Sequence, residues 1–448
     1  MTATVKLGAA WLILLIGVLM VARFASLDRV PPGFYLDEAA IATQVACIEQ
    51  TQADASGRAW PLYAPVLAGG QASAPLLYPA ALWSSQFGAS EAALRAFVAA
   101  HGLLLALAIA GAIGITTANW RSAAVCLLLG LCSPWLFVLS RVFWDPIVGA
   151  TWLGVAFSAC WIARQTERPL RQRGMLWCLA AIAAALAAYA YPPLRVQLLA
   201  SAIVLLAFER CWRIDASFWL GAALFCLLIA PLGLLYLTDA AFAERSQALA
   251  IWNPAWLAPQ QLSMADVPGI AISNLLENLD PRYLFWRGGI NLHHGTGLGG
   301  PVGPLELAVL LAALLLAPRL FVSREGLLLL GLFVAGLLPA ALTWDRNPHT
   351  LRSIGAIAPL LLFIGLAAHR AAAALRQARR GIALIILLAG ATTWAGIYGS
   401  DYFGDYRARA VPWFEGSAHL ADSDPDLVLA KRYYQWRLGQ PLDCPGPQ

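Results

Sequence analysis

The sequence predicts an all-α protein that crosses a membrane many times, and three observations carry that prediction. Hydrophobic residues make up 60% of the 448 and charged residues only 12%, against about a quarter charged in soluble domains. The apolar residues fall in long runs, such as Leu7–Ala22, Ile147–Ala163 and Gly326–Leu342, which suit a bilayer core of roughly 30 Å. Arginines, finally, gather in alternate short loops. These are Arg121; Arg164, Arg168, Arg171 and Arg173; Arg210 and Arg213; Arg319 and Arg324; and Arg370, Arg376, Arg379 and Arg380. The positive-inside rule puts these loops, with Lys6 and the N-terminus, in the cytoplasm. The alternate loops and the C-terminus then face the outer side.

About eleven spans are expected, centred near residues 15, 103, 130, 155, 183, 201, 227, 312, 335, 360 and 390. The first reads as a retained span: its apolar stretch is long for a signal peptide, and no A-x-A site precedes Asp28. A transmembrane domain over 1–400 therefore carries two long outer loops, 26–91 and 239–303, and is followed by an outer tail, 401–448. Loops of that length usually carry function. Within the first, Pro75–Phe87 holds Leu76, Leu77, Tyr78, Leu82, Trp83 and Phe87. It is too short to span and rich in headgroup-zone aromatics, so it reads as an interfacial helix. The second ends in a glycine-rich stretch, Gly295–Gly300, that reads as a hinge. The tail carries Asp422, Asp424 and Asp426, then Lys431, Arg432, Tyr433, Tyr434, Trp436 and Arg437, a pattern that suits a helix lying on the membrane.

Cys126, Cys132, Cys160, Cys178 and Cys226 fall in apolar spans and Cys211 at a cytoplasmic boundary. Only Cys47 and Cys444 are expected on the outer side, and the sequence leaves a bond between them open. No C-x-x-C supports a zinc site. Neither a P-loop nor a strand–turn–helix G-x-G-x-x-G is present, so nucleotides and nucleic acid have no support as partners.

Five polar constellations remain, all assigned to the outer face. Asp37 and Glu38 follow Tyr35 at the end of the first span, and adjacent carboxylates beside a bilayer are costly unless used. Ser140–Asp145 contains Arg141 and Asp145, four apart, which either neutralise each other across a helical turn or enter a site. Tyr189–Arg195 ends on Arg195, interfacial or functional. His293 and His294 lie on the glycine-rich loop, where an exposed pair is the ordinary expectation. Asp345–Arg352 has Asn347 as an expected N-cap and Pro348 as an expected first helical residue, putting His349 and Arg352 on one face as an anion site. Arg95 pairs with Glu91 or joins the site. His101, His369 and His419 have no partners in sequence. Asp37, Glu38 and Asp145 also allow a divalent cation through oxygen ligands, although nothing fixes a ligand count.

Outward carboxylates beside arginines fit a lipid phosphate as substrate, with a carboxylate taking a proton from an acceptor hydroxyl. That describes sugar transfer from a polyprenyl-phosphate donor, with inversion at the anomeric carbon as in a single displacement. A transporter or flippase of a lipid-linked saccharide would bind the same phosphate without making bonds. It calls for polar residues along a mid-span path, and these spans carry almost none.

Several segments resemble one family. Gly33–Ile41 (G-F-Y-L-D-E-A-A-I), Ser90–Arg95 (S-E-A-A-L-R), Ser133–Arg141 (S-P-W-L-F-V-L-S-R), Glu244–Asn253 and Pro348–Pro359 are similar, in order and spacing, to bacterial membrane glycosyltransferases of the family-39, dolichyl-phosphate-mannose-mannosyltransferase-like type. Its relatives include protein O-mannosyltransferases and lipid A aminoarabinose transferases. The resemblance implies the GT-C fold, a bacterial inner-membrane location, and a donor carried on polyprenyl phosphate. It also implies a lipid, glycan or protein acceptor, and a catalytic base at Asp37. The chain departs from the family's S-R-x-x-F-E-x-N at Trp144, Asp145 and Ile147, and from its K-P-P-L at Ala74–Leu76. Those changes bear on sugar and acceptor more than on reaction class.

Overall fold

The computed structural model describes residues 3–67, 69–165, 168–208, 215–414 and 427–447. Arg210, Cys211, Arg213, His419, Asp422, Asp424 and Asp426 lie outside the described residues. The chain runs through α1 (Ala3–Ala22) and α2 (Leu36–Thr51), then a hairpin of β1 (Tyr63–Pro65) and β2 (Gln71–Ser73). There follow α3 (Ala74–Phe87), α4 (Glu91–Thr117), α5 (Trp120–Cys132), α6 (Pro134–Leu139), α7 (Asp145–Ala163) and α8 (Leu170–Ala190). Next come α9 (Pro192–Ala207), α10 (Ala216–Thr238), α11 (Ala240–Ala248), α12 (Pro254–Leu257) and α13 (Val267–Leu279). The remainder is α14 (Pro304–Leu316), α15 (Arg319–Val322), α16 (Arg324–Ala341), α17 (Ile357–Ala374), α18 (Gln377–Phe403), α19 (Asp405–Phe414) and α20 (Val428–Arg437).

Among the described residues, seven helices are long and apolar enough to cross a membrane: α4, α7, α8, α10, α16, α17 with its preceding turn, and α18. Shorter apolar helices at Leu7–Ala22, Trp120–Cys132, Pro192–Ala207 and Pro304–Leu316 stand where the other four spans were expected. Proline explains part of the shortening. Pro134 lacks the N–H that would continue α5, so the chain turns at Ser133 and restarts as α6. At 13 residues α5 is about 20 Å long, less than a bilayer core. Burial separates inner from outer helices: 78% of the apolar stretch of α7 is buried, against 11% of that of α10. The apolar surface left on α10 suits lipid.

The first outer loop contains the expected short helix, α3, with Leu76 and Leu77 buried and Leu82 and Phe87 exposed. Its hairpin pairs Tyr63 with Ser73 and Pro65 with Gln71, which brings Ser73 to the start of α7. The glycine-rich stretch is packed rather than hinge-like. A Cβ on Gly300 would collide with the Leu284 carbonyl, and one on Gly288, at φ 60°, would come within 2.9 Å of the Gly299 carbonyl oxygen. Val302 then donates to the Leu284 carbonyl at 2.9 Å. Cys47 and Cys444 are joined by a disulfide. The tail helix α20 lies against α2, with Ala430 and Tyr433 fully buried.

One close helix contact positions the loop before α17. An added Cβ at Gly336 would come within 2.6 Å of the Ala356 nitrogen. Gly336→Ala is therefore expected to lower stability by about 1–3 kcal/mol through overpacking, despite alanine's better helix propensity. A lower Tm of the purified protein in detergent checks this, and a raised Tm would refute the contact.

Candidate active site

The connection from α1 to α2 is irregular, so its backbone carbonyls need partners from elsewhere. Two fully buried arginines supply them. Arg95, from α4, donates Nη1 to the carbonyls of Leu27 (3.0 Å) and Pro31 (2.9 Å) and Nη2 to that of Gly33 (2.6 Å). Its Nε and Nη2 also grip the Glu38 carboxylate at 2.9 and 2.8 Å. Arg141 donates Nη1 to the carbonyls of Ala22 and Arg23, Nη2 to those of Ala25 and Val30, and Nε to the Tyr402 hydroxyl. A guanidinium has five N–H donors, and each arginine uses all of them on the chain itself.

Glu38 is engaged as completely. Beyond Arg95, it accepts the backbone N–H of Phe143 at 2.7 Å and of Tyr35 at 3.0 Å, the latter capping α2. For Arg95 and Arg141 the sequence left open a local pair or a place at the phosphate, and for Glu38 a place at the reacting atoms or behind them. Here every donor and acceptor lobe of the three is taken internally, and they support the loop beneath the site. Nor does Arg141 pair with Asp145. Asp145 opens α7 and accepts the hydroxyl (2.6 Å) and N–H (3.3 Å) of Ser73. Arg95 meets Glu38 and not Glu91 as its ion-pair partner.

Asp37 has a different environment from its neighbour because successive helical residues are rotated by about 100°. Glu38 points into the core, while Asp37 is half-buried with the Tyr35 hydroxyl beside it. Burial raises its pKa; the Arg245 guanidinium and the Tyr35 hydroxyl pull against that, and Glu38 adds to it. Asp37 and Asp145 lie within each other's electrostatic reach.

From Tyr35 a row of rings leads across the site. Tyr35 lies 4.0 Å from His293, centroid to centroid; His293 is 6.2 Å from His294, and His294 is 5.1 Å from His349 and 5.5 Å from Trp144. The histidine pair is thus enclosed, contrary to an exposed loop pair. His293 Nε2 meets the Trp413 carbonyl at 2.6 Å. Burial lowers the pKa of all three histidines, most plainly His349, lowered to about 3 with Arg352 adding to the effect. They are neutral at physiological pH. His349 Nδ1 accepts the Arg352 N–H at 3.3 Å, so its proton is on Nε2.

The helix expected to start at Pro348 does not form; α17 begins at Ile357 after a 3₁₀ turn. Asn347 is held by the Asn278 amide and the Thr343 carbonyl, and the His349 N–H donates to Asn278 Oδ1. The His349 amide, which would have faced the anion, is therefore occupied. Arg352 pairs with Asp345 at 2.9 Å and donates to Thr343. Arg195 sits to one side, donating to the hydroxyls of Tyr63 and Tyr236.

Two arginines escaped the sequence reading. Arg245, on α11, is the largest charge acting on Asp37 and donates to the Leu67 carbonyl. Arg346, exposed and at φ 53°, acts on Tyr35, His293, His294 and His349. Both stand inside segments that the sequence singled out, Glu244–Asn253 and Asp345–Arg352. The signal was the segment, and the acid preceding each arginine, Glu244 or Asp345, allowed an ordinary local pair. Among the described residues, no three His, Cys, Asp or Glu side chains converge on one point. Asp37, Glu38 and Asp145 therefore do not gather as the oxygen cage that their sequence allowed.

No family model matches the sequence, and no curated protein matches it at the sequence level. Solved structures match in fold. ArnT from Cupriavidus metallidurans bound to undecaprenyl phosphate aligns with a TM-score of 0.53 at 15% identity, covering 98% of this chain and 71% of that one. Its apo state gives 0.52 at 16% identity, covering 96% and 73%. The Archaeoglobus fulgidus oligosaccharyltransferase tethered to an acceptor peptide gives 0.52 at 15% identity, covering 98% of this chain and 60% of that one. Both proteins have the GT-C fold, and this chain has it over nearly its whole length.

The two adjacent acids should separate experimentally. Glu38→Gln leaves the buried Arg95 charge without its partner and should cost about 3–5 kcal/mol. Asp37 has a raised folded-state pKa, so its contribution to stability is full while protonated and is lost as pH rises through that pKa. Asp37→Asn should therefore melt no lower than the parent at neutral pH. Thermal unfolding of both variants reads the contrast, and equal losses would refute it.

Proposed function

We propose that this protein is a membrane glycosyltransferase that moves a sugar from a polyprenyl-phosphate donor to an acceptor hydroxyl at the outer face. Asp37 is the general base. The observation that carries this reading is the division of the carboxylates. Both oxygens of Glu38 are taken by Arg95 and two backbone N–H groups, Ser73 takes one oxygen of Asp145, and Arg352 pairs with Asp345, whereas half-buried Asp37 has the Tyr35 hydroxyl beside it. A base needs an oxygen that can reach a substrate proton, and a pKa raised by burial strengthens it. The fold shared with an undecaprenyl-phosphate-bound ArnT supports the donor class.

In the reaction, Asp37 takes the acceptor proton as the acceptor oxygen bonds to the anomeric carbon. The bond from that carbon to the phosphate oxygen breaks, and polyprenyl phosphate leaves with the electron pair. The departing charge needs cations, and the neutral histidines cannot supply them. Arg245, Arg346 and Arg352 surround the site and are the candidates, with the His349 Nε2–H as a neutral donor. Asp345 holds Arg352 in orientation.

The test is an assay of the purified protein with radiolabelled polyprenyl-phosphate sugars and an extract of envelope lipids, glycans and proteins as acceptors. Label should move to an acceptor, Asp37→Asn should remove transfer, and Arg245→Ala should reduce it by tenfold or more, about the effect of one charge-assisted contact. The acid limb of kcat/KM should have its midpoint above the ordinary aspartate value of about 3.9, since the base acts only when ionised. Full turnover in Asp37→Asn would sink the assignment, and label that crosses the membrane still attached to its lipid would favour a flippase.

A further inference from the structure

The chain after α18 touches both halves of the candidate site. From α19, the Tyr406 hydroxyl donates to the Leu292 carbonyl at 2.7 Å, and Arg409 donates to that of Thr296 at 3.0 Å. The Trp413 carbonyl holds His293, and Phe414 packs 4.7 Å from the same ring. From α20, the Tyr434 hydroxyl donates to the Phe34 carbonyl at 2.6 Å. That carbonyl belongs to the peptide group joining Phe34 to Tyr35, whose N–H caps α2 through Glu38 and whose hydroxyl lies beside Asp37. Tyr433 stacks on the Phe34 ring at 5.0 Å, and the Arg95 guanidinium lies 5.3 Å from that ring. Thr43, two turns further along α2, donates to the Leu429 carbonyl at 2.8 Å.

This covering explains the composition of α2. Its residues from Glu38 to Ile48 are all buried, so α2 has no solvent face for a polar stripe. The enclosure requires α20, which packs along α2 through Ala430 and Tyr433. The Cys47–Cys444 bond joins the far end of α2 to the chain beyond α20. A covalent tie converts docking of α20 into an intramolecular event with a high effective concentration.

We propose that α20, tethered by Cys47–Cys444, is a positioning element of the active site, and that Tyr434 is the residue through which it acts. Resting on the glycosyltransferase reading above, this assigns Tyr434 the task of fixing the Phe34–Tyr35 peptide, and so the Tyr35–Asp37 pair, in the reactive arrangement. Tyr434 is expected to touch neither donor nor acceptor. Its loss should therefore lower kcat and leave the donor KM unchanged.

The experiment compares full-length wild type, Tyr434→Phe and a Cys47→Ser/Cys444→Ser double variant. Each is measured for sugar transfer and for backbone hydrogen exchange over residues 33–40. Tyr434→Phe keeps the ring and removes one hydrogen bond, so kcat should fall about fivefold with KM unchanged. Exchange over 33–40 should quicken in both variants, more in the double variant. Dithiothreitol should bring wild type to the level of the double variant and leave the latter unchanged. Unaltered exchange in both variants would overturn the proposal even if transfer fell, as would an increase in KM at constant kcat. If wild type transfers no sugar while exchange still quickens, the glycosyltransferase reading fails and the anchoring of the loop by α20 stands.

Discussion

The buried ion pair between Arg95 and Glu38 is the contact on which the rest of the site depends. A guanidinium and a carboxylate with no exposed surface persist only when each lone pair and proton is matched. Here the matching is done by backbone: the carbonyls of Leu27, Pro31 and Gly33 and the N–H groups of Tyr35 and Phe143. The same bonds that neutralise the charges tie the first outer loop to α4 and to the turn before α7. Arg141 completes the arrangement by gathering four more carbonyls of that loop. An irregular segment thereby acquires the rigidity that a catalytic group needs.

One consequence is the unlike behaviour of two adjacent acids. Helical rotation turns Glu38 inward to Arg95 and leaves Asp37 facing Tyr35, Arg245 and the histidines. A second consequence concerns charge. Burial keeps His293, His294 and His349 neutral, so they line the site as rings and neutral donors. Positive charge comes from arginines, which remain ionised. This division suits a substrate with a phosphate that becomes more negative as it leaves.

Much of the architecture was legible in the sequence. Hydropathy located the helices, because lipid demands long apolar runs. The short crossing helices were less legible, since proline at 134 breaks a run that composition alone reads as continuous. The membership of the site was legible as a set of segments, and its chemistry only in part. Sequence cannot say that seven carbonyls between Ala22 and Gly33 are divided between Arg95 and Arg141, nor that Asn278, 71 residues away, takes the His349 amide. Both corrections come from tertiary hydrogen bonds. The packing of α20 on α2 was not legible either, because the basic-aromatic pattern of α20 names no partner within the chain. The Cys47–Cys444 bond, left open by spacing, follows from that packing.

In the proposed reaction, Asp37 acting as a general base, and not as a nucleophile, drives a single displacement. The most direct measurement is the anomeric configuration of the transferred sugar, read by NMR on product made from a donor of known configuration. The account predicts inversion. Retention would require two successive displacements and would contradict it.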